Sequence, residues 1–170
     1  VEPATGDYFF IECNPRIQVE HTITEQVMGT DLVQTQFRVA MGESLASLGL
    51  GDQAAVGEPR GWSVQARVVA TGAGTITGYR EPSGPGVRVD GAGYAGWSPP
   101  PQFDPLLAKV IVTTNGGTHE AAIDHARRAV NRFHIGGLAT NLGQLDAILA
   151  HSAVRAGDAR TTLLANEPGL

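Results

Sequence analysis

The chain has 170 residues, 42% of them apolar, and a formal net charge of −5. Those values fit a soluble globular piece of one or two compact units. No run approaches the ~18 apolar residues that argue for a membrane span, and no basic stripe offers a grip on nucleic acid. The single cysteine, Cys13, excludes an internal disulfide and a thiolate metal cluster; a reducing, cytoplasmic setting is the expectation.

In chain order, Thr5-Gly6-Asp7 reads as a hairpin turn. Tyr8 to Glu12, aromatic and β-branched, predicts a strand buried on both faces. The chain opens on Val1 and runs quickly into this strand, so it is expected to be an internal piece of a longer polypeptide. Pro15 cannot donate to a ladder, so the strand should give way to a loop over Arg16 to Glu20. His21 to Met28 predicts a short helix closed by Gly29. Asp31 then caps a second helix with Val33, Phe37, Ala40 and Met41 at helical spacing, stopped by Gly42.

Ser44 to Gly61, with Gly49, Gly51, Gly57 and Pro59, has little periodicity and reads as an interdomain boundary. Beyond it, Trp62, Val64, Ala66, Val68 and Ala70 alternate with more polar positions in a half-buried strand. Thr75 to Arg80 and Gly86 to Val89 predict short strands, and Leu106 to Thr113 a long apolar one. A helix capped by Thr118, with Ile123, Ala126, Val130 and Phe133 on one face, precedes another that starts near Asn141. Strands followed by helices, without βαβ alternation, argue for an α+β unit with a mainly antiparallel sheet.

Chemistry concentrates in Ile11 to Glu20, where Glu12, Asn14, Arg16, Gln18 and Glu20 alternate with apolar or small residues. A period of two presents one face of an extended chain. Glu12 and Asn14 would lie roughly 7 Å apart along one face, and their oxygens suit a hard cation such as Mg²⁺. Spacing alone equally allows a Glu12–Arg16 pair with Asn14 capping a turn. Arg16 offers a fork for a bidentate oxyanion, or a salt bridge to Glu12 or Glu20. Glu20 could serve as a general base or as a surface carboxylate, and His21 as a helix-start residue. Cys13 falls on the packed side as a small core residue. Arg67, mid-strand beside Gln65, needs an anionic partner, either a protein carboxylate or a ligand.

The stretch Glu12-Cys13-Asn14-Pro15-Arg16-Ile17-Gln18-Val19-Glu20-His21, followed by Thr24-Glu25, resembles the signature of biotin carboxylases, the ATP-grasp parts of biotin-dependent carboxylases. Four further blocks resemble the same family in the same order: Gly61 to Arg67, Gly84 to Arg88 with Tyr94-Ala95-Gly96, Asp104 to Lys109, and Gly136 to Asn141. The resemblance implies the end of an ATP-grasp domain over residues 1–43, a linker over 44–61 and a biotin carboxylase C-terminal domain over 62–168.

It also implies a reaction. ATP activates bicarbonate as carboxyphosphate, and the carboxyl group passes to biotin on a carrier domain, the first half-reaction of an acyl-CoA (acetyl-CoA included) or pyruvate carboxylase. By this likeness Glu12 and Asn14 are ligands of the ATP-bound Mg²⁺ or Mn²⁺, and Arg16, Gln18 and the Val19 backbone hold bicarbonate. Glu20 is its base, and Arg67 stabilises negative charge on the reacting groups. Expected partners are the biotin carrier domain and a carboxyltransferase domain or subunit, with neither nucleic acid nor membrane. A further metal-binding Glu is expected upstream of Val1, so this stretch alone should not turn over. Two departures stand out. Val68 to Gly74 replaces a more acidic stretch of the family, and Pro85 stands where many bacterial members carry an aromatic residue of the dimer interface. Homo-oligomerisation is therefore left open. Another ATP-grasp ligase, or a non-catalytic remnant of the fold, is the alternative.

Overall fold

A computed structural model describes Glu2 and residues 4–170. Helices α1 (His21–Met28), α2 (Leu32–Ala40) and α3 (Gln53–Val56) lead into strands β1 (Gly61–Val69), β2 (Gly78–Arg80), β3 (Val87–Gly91) and β4 (Leu106–Asn115). Helix α4 (His119–Val130), strand β5 (His134–Gly136) and helices α5 (Leu142–Ala150), α6 (Ser152–Arg155) and α7 (Leu163–Asn166) complete the order. The strands form an antiparallel three-stranded sheet, β1-β4-β3, and an antiparallel pair, β2-β5. The α+β class read from the sequence is therefore observed.

The central sheet has two chemically different faces because side chains alternate along each strand. Ala66 and Val68 of β1, Ala108, Val110 and Val112 of β4, and Val87 and Val89 of β3 share one face. They pack on Ile123, Ala126, Ala129 and Val130 of α4 and on Leu149 of α5, forming the main core. The opposite face carries Gln65 and Arg67, Lys109 and Ile111, and Arg88 and Asp90 in register, and α1 packs across β1 and β4. One sheet thus joins an apolar core to a polar seam.

Local chemistry sets several boundaries. Gly29 closes α1 in the left-handed conformation. Asp31 accepts from Gln34 N, and Thr118 from Ala121 N, as helix caps. Gly86 sits at φ 70°, where an added Cβ would lie 2.3 Å from Thr113 O. Gly86→Ala is expected to lower the thermal midpoint of unfolding by several degrees, since left-handed strain alone costs ~1–2 kcal/mol. An unchanged midpoint in calorimetry would contradict that reading of the turn.

Several expectations are corrected. Tyr8 to Glu12 forms no strand, and Tyr8, Phe9, Phe10 and Ile11 are 76–91% exposed. A strand requires a neighbour to complete its hydrogen bonds and cover its faces, and no described segment pairs with this one. Cys13 is accordingly exposed and not part of a core. Val33, Phe37 and Met41 follow helical spacing, yet they too lie exposed among the described residues. The strand expected over Thr75 to Arg80 shrinks to β2, because Ile76 N donates to Trp97 O in a loop. Strand β5 is three residues long, too short for any periodic signal. The turn at Thr5-Gly6-Asp7 is present, with Gly6 at φ 78° and Glu2 N donating to Asp7 O at 2.8 Å.

Candidate functional site

The segment carrying the chemistry is irregular up to Glu20 and then becomes α1. Glu12 and Asn14 are exposed, and their side chains make no hydrogen bond among the described residues. Arg16 Nη1 donates to Ile17 O at 3.3 Å. Neither salt bridge offered for Arg16, to Glu12 or to Glu20, is formed.

Glu20 turns instead to the sheet, where Arg67 Nη2 donates to its Oε2 at 2.8 Å. Residues 47 apart in sequence thereby meet at the start of α1. The anionic partner Arg67 needs is here a protein carboxylate, and its side chain is 51% exposed. An ion pair so exposed contributes about 0–1 kcal/mol. It holds the two groups together and opens at little cost when an anion competes for the guanidinium.

Next to it, a denser set of charges ties α1 to the sheet. Arg67, Lys109 and Asp90 are direct neighbours across β1, β4 and β3. Lys109 Nζ lies 3.2 Å from Asp90 Oδ2 and donates to Val19 O at 3.3 Å. Arg88 grips Asp90 with two bonds, at 2.7 and 3.0 Å, and donates to Glu25 Oε2 at 2.8 Å. The other oxygen of Glu25 accepts from Leu32 N, the first residue of α2. Thr22, fully buried, donates to Gln65 Oε1 at 2.5 Å. Burial pushes the Asp90 carboxyl upward, but hydrogen bonds from Arg88 and Lys109 outweigh it and hold the group below its ordinary range. Arg88 is held above its ordinary value, chiefly by its bonds to Asp90.

Sequence reading did not assign roles to Lys109, Asp90 or Thr22. The available signal was Lys109 itself, a lone charge inside the apolar run Leu106 to Val112. An open cleft of about 380 Å³ borders the seam, lined by His21, Glu25, Gln26, Asp31, Val33 and Arg88. The candidate residues Glu12 to Glu20 and Arg67 are not in its lining. Among the described residues, no three His, Cys, Asp or Glu side chains converge on one metal position. Glu12 and Asn14 nevertheless offer free oxygen donors of the type a hard divalent cation takes.

Comparison with known proteins assigns the family. Residues 65–166 match the biotin carboxylase C-terminal domain. The chain belongs to the biotin carboxylase family. Residues 1–48 match the carbamoyl-phosphate synthase L chain ATP-binding domain. The chain is 41% identical to biotin carboxylase 1 of Bacillus subtilis (strain 168), over 92% of this chain and 35% of that protein. It is 40% identical to pyruvate carboxylase of Pichia angusta, over 96% of this chain and 14% of that protein. It therefore spans about a seventh to a third of these relatives' lengths. Among solved structures, the biotin carboxylase domain of a single-chain bacterial carboxylase superposes with a TM-score of 0.91 at 44% identity, covering 96% of this chain and 39% of that one. The Hydrogenobacter thermophilus 2-oxoglutarate carboxylase biotin carboxylase domain, a dimer in complex with MgADP, ADP and bicarbonate, gives 0.88 at 35% identity, covering 96% and 36%. No described helix is long and apolar enough to cross a membrane.

Proposed function

We propose that the chain is part of a longer biotin carboxylase that uses ATP to carboxylate carrier-bound biotin with bicarbonate. Residues 1–43 are read as the end of the ATP-grasp domain, 44–61 as a linker and 62–168 as the C-terminal domain. The observation that carries the reading is the Glu20–Arg67 pair, a carboxylate base and a guanidinium brought together from a loop and a strand. Bicarbonate would sit against Arg16, Gln18 and the Val19 N–H. Glu20 would take its proton, and Arg67, released from Glu20, would face the negative charge that develops.

Glu12 and Asn14 would hold Mg²⁺ or Mn²⁺, which supplies charge neutralisation and alignment of the ATP phosphates. Biotin supplies the nitrogen that accepts the carboxyl group. The partners would be a biotin carrier domain and a carboxyltransferase in the cytoplasm. The transferase would select the final acceptor, pyruvate or an acyl-CoA such as acetyl-CoA. The match of 65–166 to the C-terminal domain family weighs against a carbamoyl-phosphate synthase, as does Gln18-Val19-Glu20-His21 after Arg16.

In a full-length carboxylase carrying this sequence, ADP release is expected to require bicarbonate and to rise when free biotin is added. ATP cleavage indifferent to both would overturn the reading. Glu12→Gln is expected to raise the KM for MgATP on the order of 10-fold, the scale at which a weakened metal site is felt. An unchanged dependence on Mg²⁺ and MgATP would remove Glu12 from the metal site.

A further inference from the structure

Two side chains outside the assigned set hold the peptides that build the Gln18–Glu20 turn. Lys109 is the only lysine in the chain and is 9% exposed. Its Nζ donates to Val19 O at 3.3 Å. One peptide earlier, Gln18 O accepts from His21 N at 3.2 Å and from His21 Nδ1 at 2.7 Å. A carbonyl only accepts, so Nδ1 carries the hydrogen.

These contacts have a directional consequence. In a trans peptide the N–H points opposite to the C=O. Drawing Gln18 O toward His21 therefore turns the Val19 N–H outward, and it has no acceptor among the described residues. The lysine fixes the following peptide, which carries Glu20 into the start of α1. Arg67 then receives the Glu20 carboxylate from the neighbouring strand position.

An ion pair with Asp90 alone does not explain Lys109. Asp90 already has both oxygens bonded to Arg88. Placing a further charge in a nearly buried position costs several kcal/mol before any partner is counted. What Lys109 adds is its bond to the turn that carries the candidate anion site.

We propose that Lys109 is a positioning residue: by holding Val19 O it fixes the Val19–Glu20 peptide, next to the one whose N–H faces the anion, and with it the direction of the Glu20 carboxylate, and so governs affinity for the small oxyanion substrate. The assignment rests on reading this turn as the bicarbonate site. The test is steady-state kinetics in a full-length carboxylase carrying the sequence, with bicarbonate and MgATP varied separately. Lys109→Met is expected to raise the KM for bicarbonate about 10-fold, the effect of one lost charge-assisted hydrogen bond. The KM for MgATP should change less than about twofold, and Lys109→Arg should recover most of the bicarbonate affinity. A residue that only stabilised the fold would shift the unfolding midpoint without this KM split, and that result overturns the assignment. If Lys109→Met does not fold, Lys109→Gln is judged by the same split. Wild-type protein without bicarbonate-dependent turnover defeats the functional reading and this assignment with it. Wild-type turnover alongside an unchanged bicarbonate KM in the variant defeats the assignment alone.

Discussion

Arg67→Ala, in a full-length carboxylase carrying this sequence, is expected to lower biotin carboxylation by roughly 10²- to 10³-fold, the loss seen when one preorganised donor to developing charge is removed. Glu20→Gln should cost on the order of 10²- to 10⁴-fold, the range for a positioned general base. Neither change should unfold the protein. The pair is about half exposed on both sides, so its share of stability is about 0–1 kcal/mol. Large kinetic losses with nearly unchanged unfolding midpoints are therefore the expected signature. Near-wild-type turnover in either variant would remove that residue from the chemistry.

The second large effect is on stability. Arg88 bonds at once to Asp90 on its own strand and to Glu25 of α1, whose side chain is only 7% exposed. Arg88→Met leaves Glu25 with an enclosed charge and loosens α1 from the sheet. Breaking a buried pair from one side costs about 3 kcal/mol, enough to lower the unfolding midpoint by several degrees.

The pH dependence has a defined sign. The Asp90 carboxyl is held below its ordinary range in the folded protein. Its contribution is present above the unfolded carboxylate value and is lost as pH falls through the lowered folded value. The gap between wild type and Arg88→Met should therefore be widest near neutrality and close as pH drops through and below the ordinary carboxylate range. A gap that stays constant with pH, or widens in acid, would show that Arg88 acts by packing and not by charge.

Much of the fold was legible because its determinants are local. The alternation from Trp62 to Val69 is one strand with Ala66 and Val68 buried, and Thr118 caps the helix it was expected to cap. Tyr8 to Glu12 shows where local pattern fails. Its residues favour a strand, but a strand exists only beside another. The same limit hid Cys13, which was placed in the core by a pleat that is not formed.

For the site, the residues of the loop and Arg67 could be named from their chemistry, while their arrangement could not. That Glu20 meets Arg67, or that Arg67, Lys109 and Asp90 stand in one row, depends on the order β1-β4-β3. No period along a single strand encodes that order. Lys109 was visible as an anomaly in an apolar strand, but its partner, a backbone oxygen 90 residues away, carries no side-chain signature.

A double-mutant cycle on kcat/KM for bicarbonate-dependent biotin carboxylation tests most directly whether Glu20 and Arg67 form one catalytic unit. Groups acting as a unit give non-additive losses. The expected result is that Glu20→Gln combined with Arg67→Ala is scarcely worse than the poorer single variant. Losses that multiply, as for two independent sites, would contradict a single site built from the loop and the sheet.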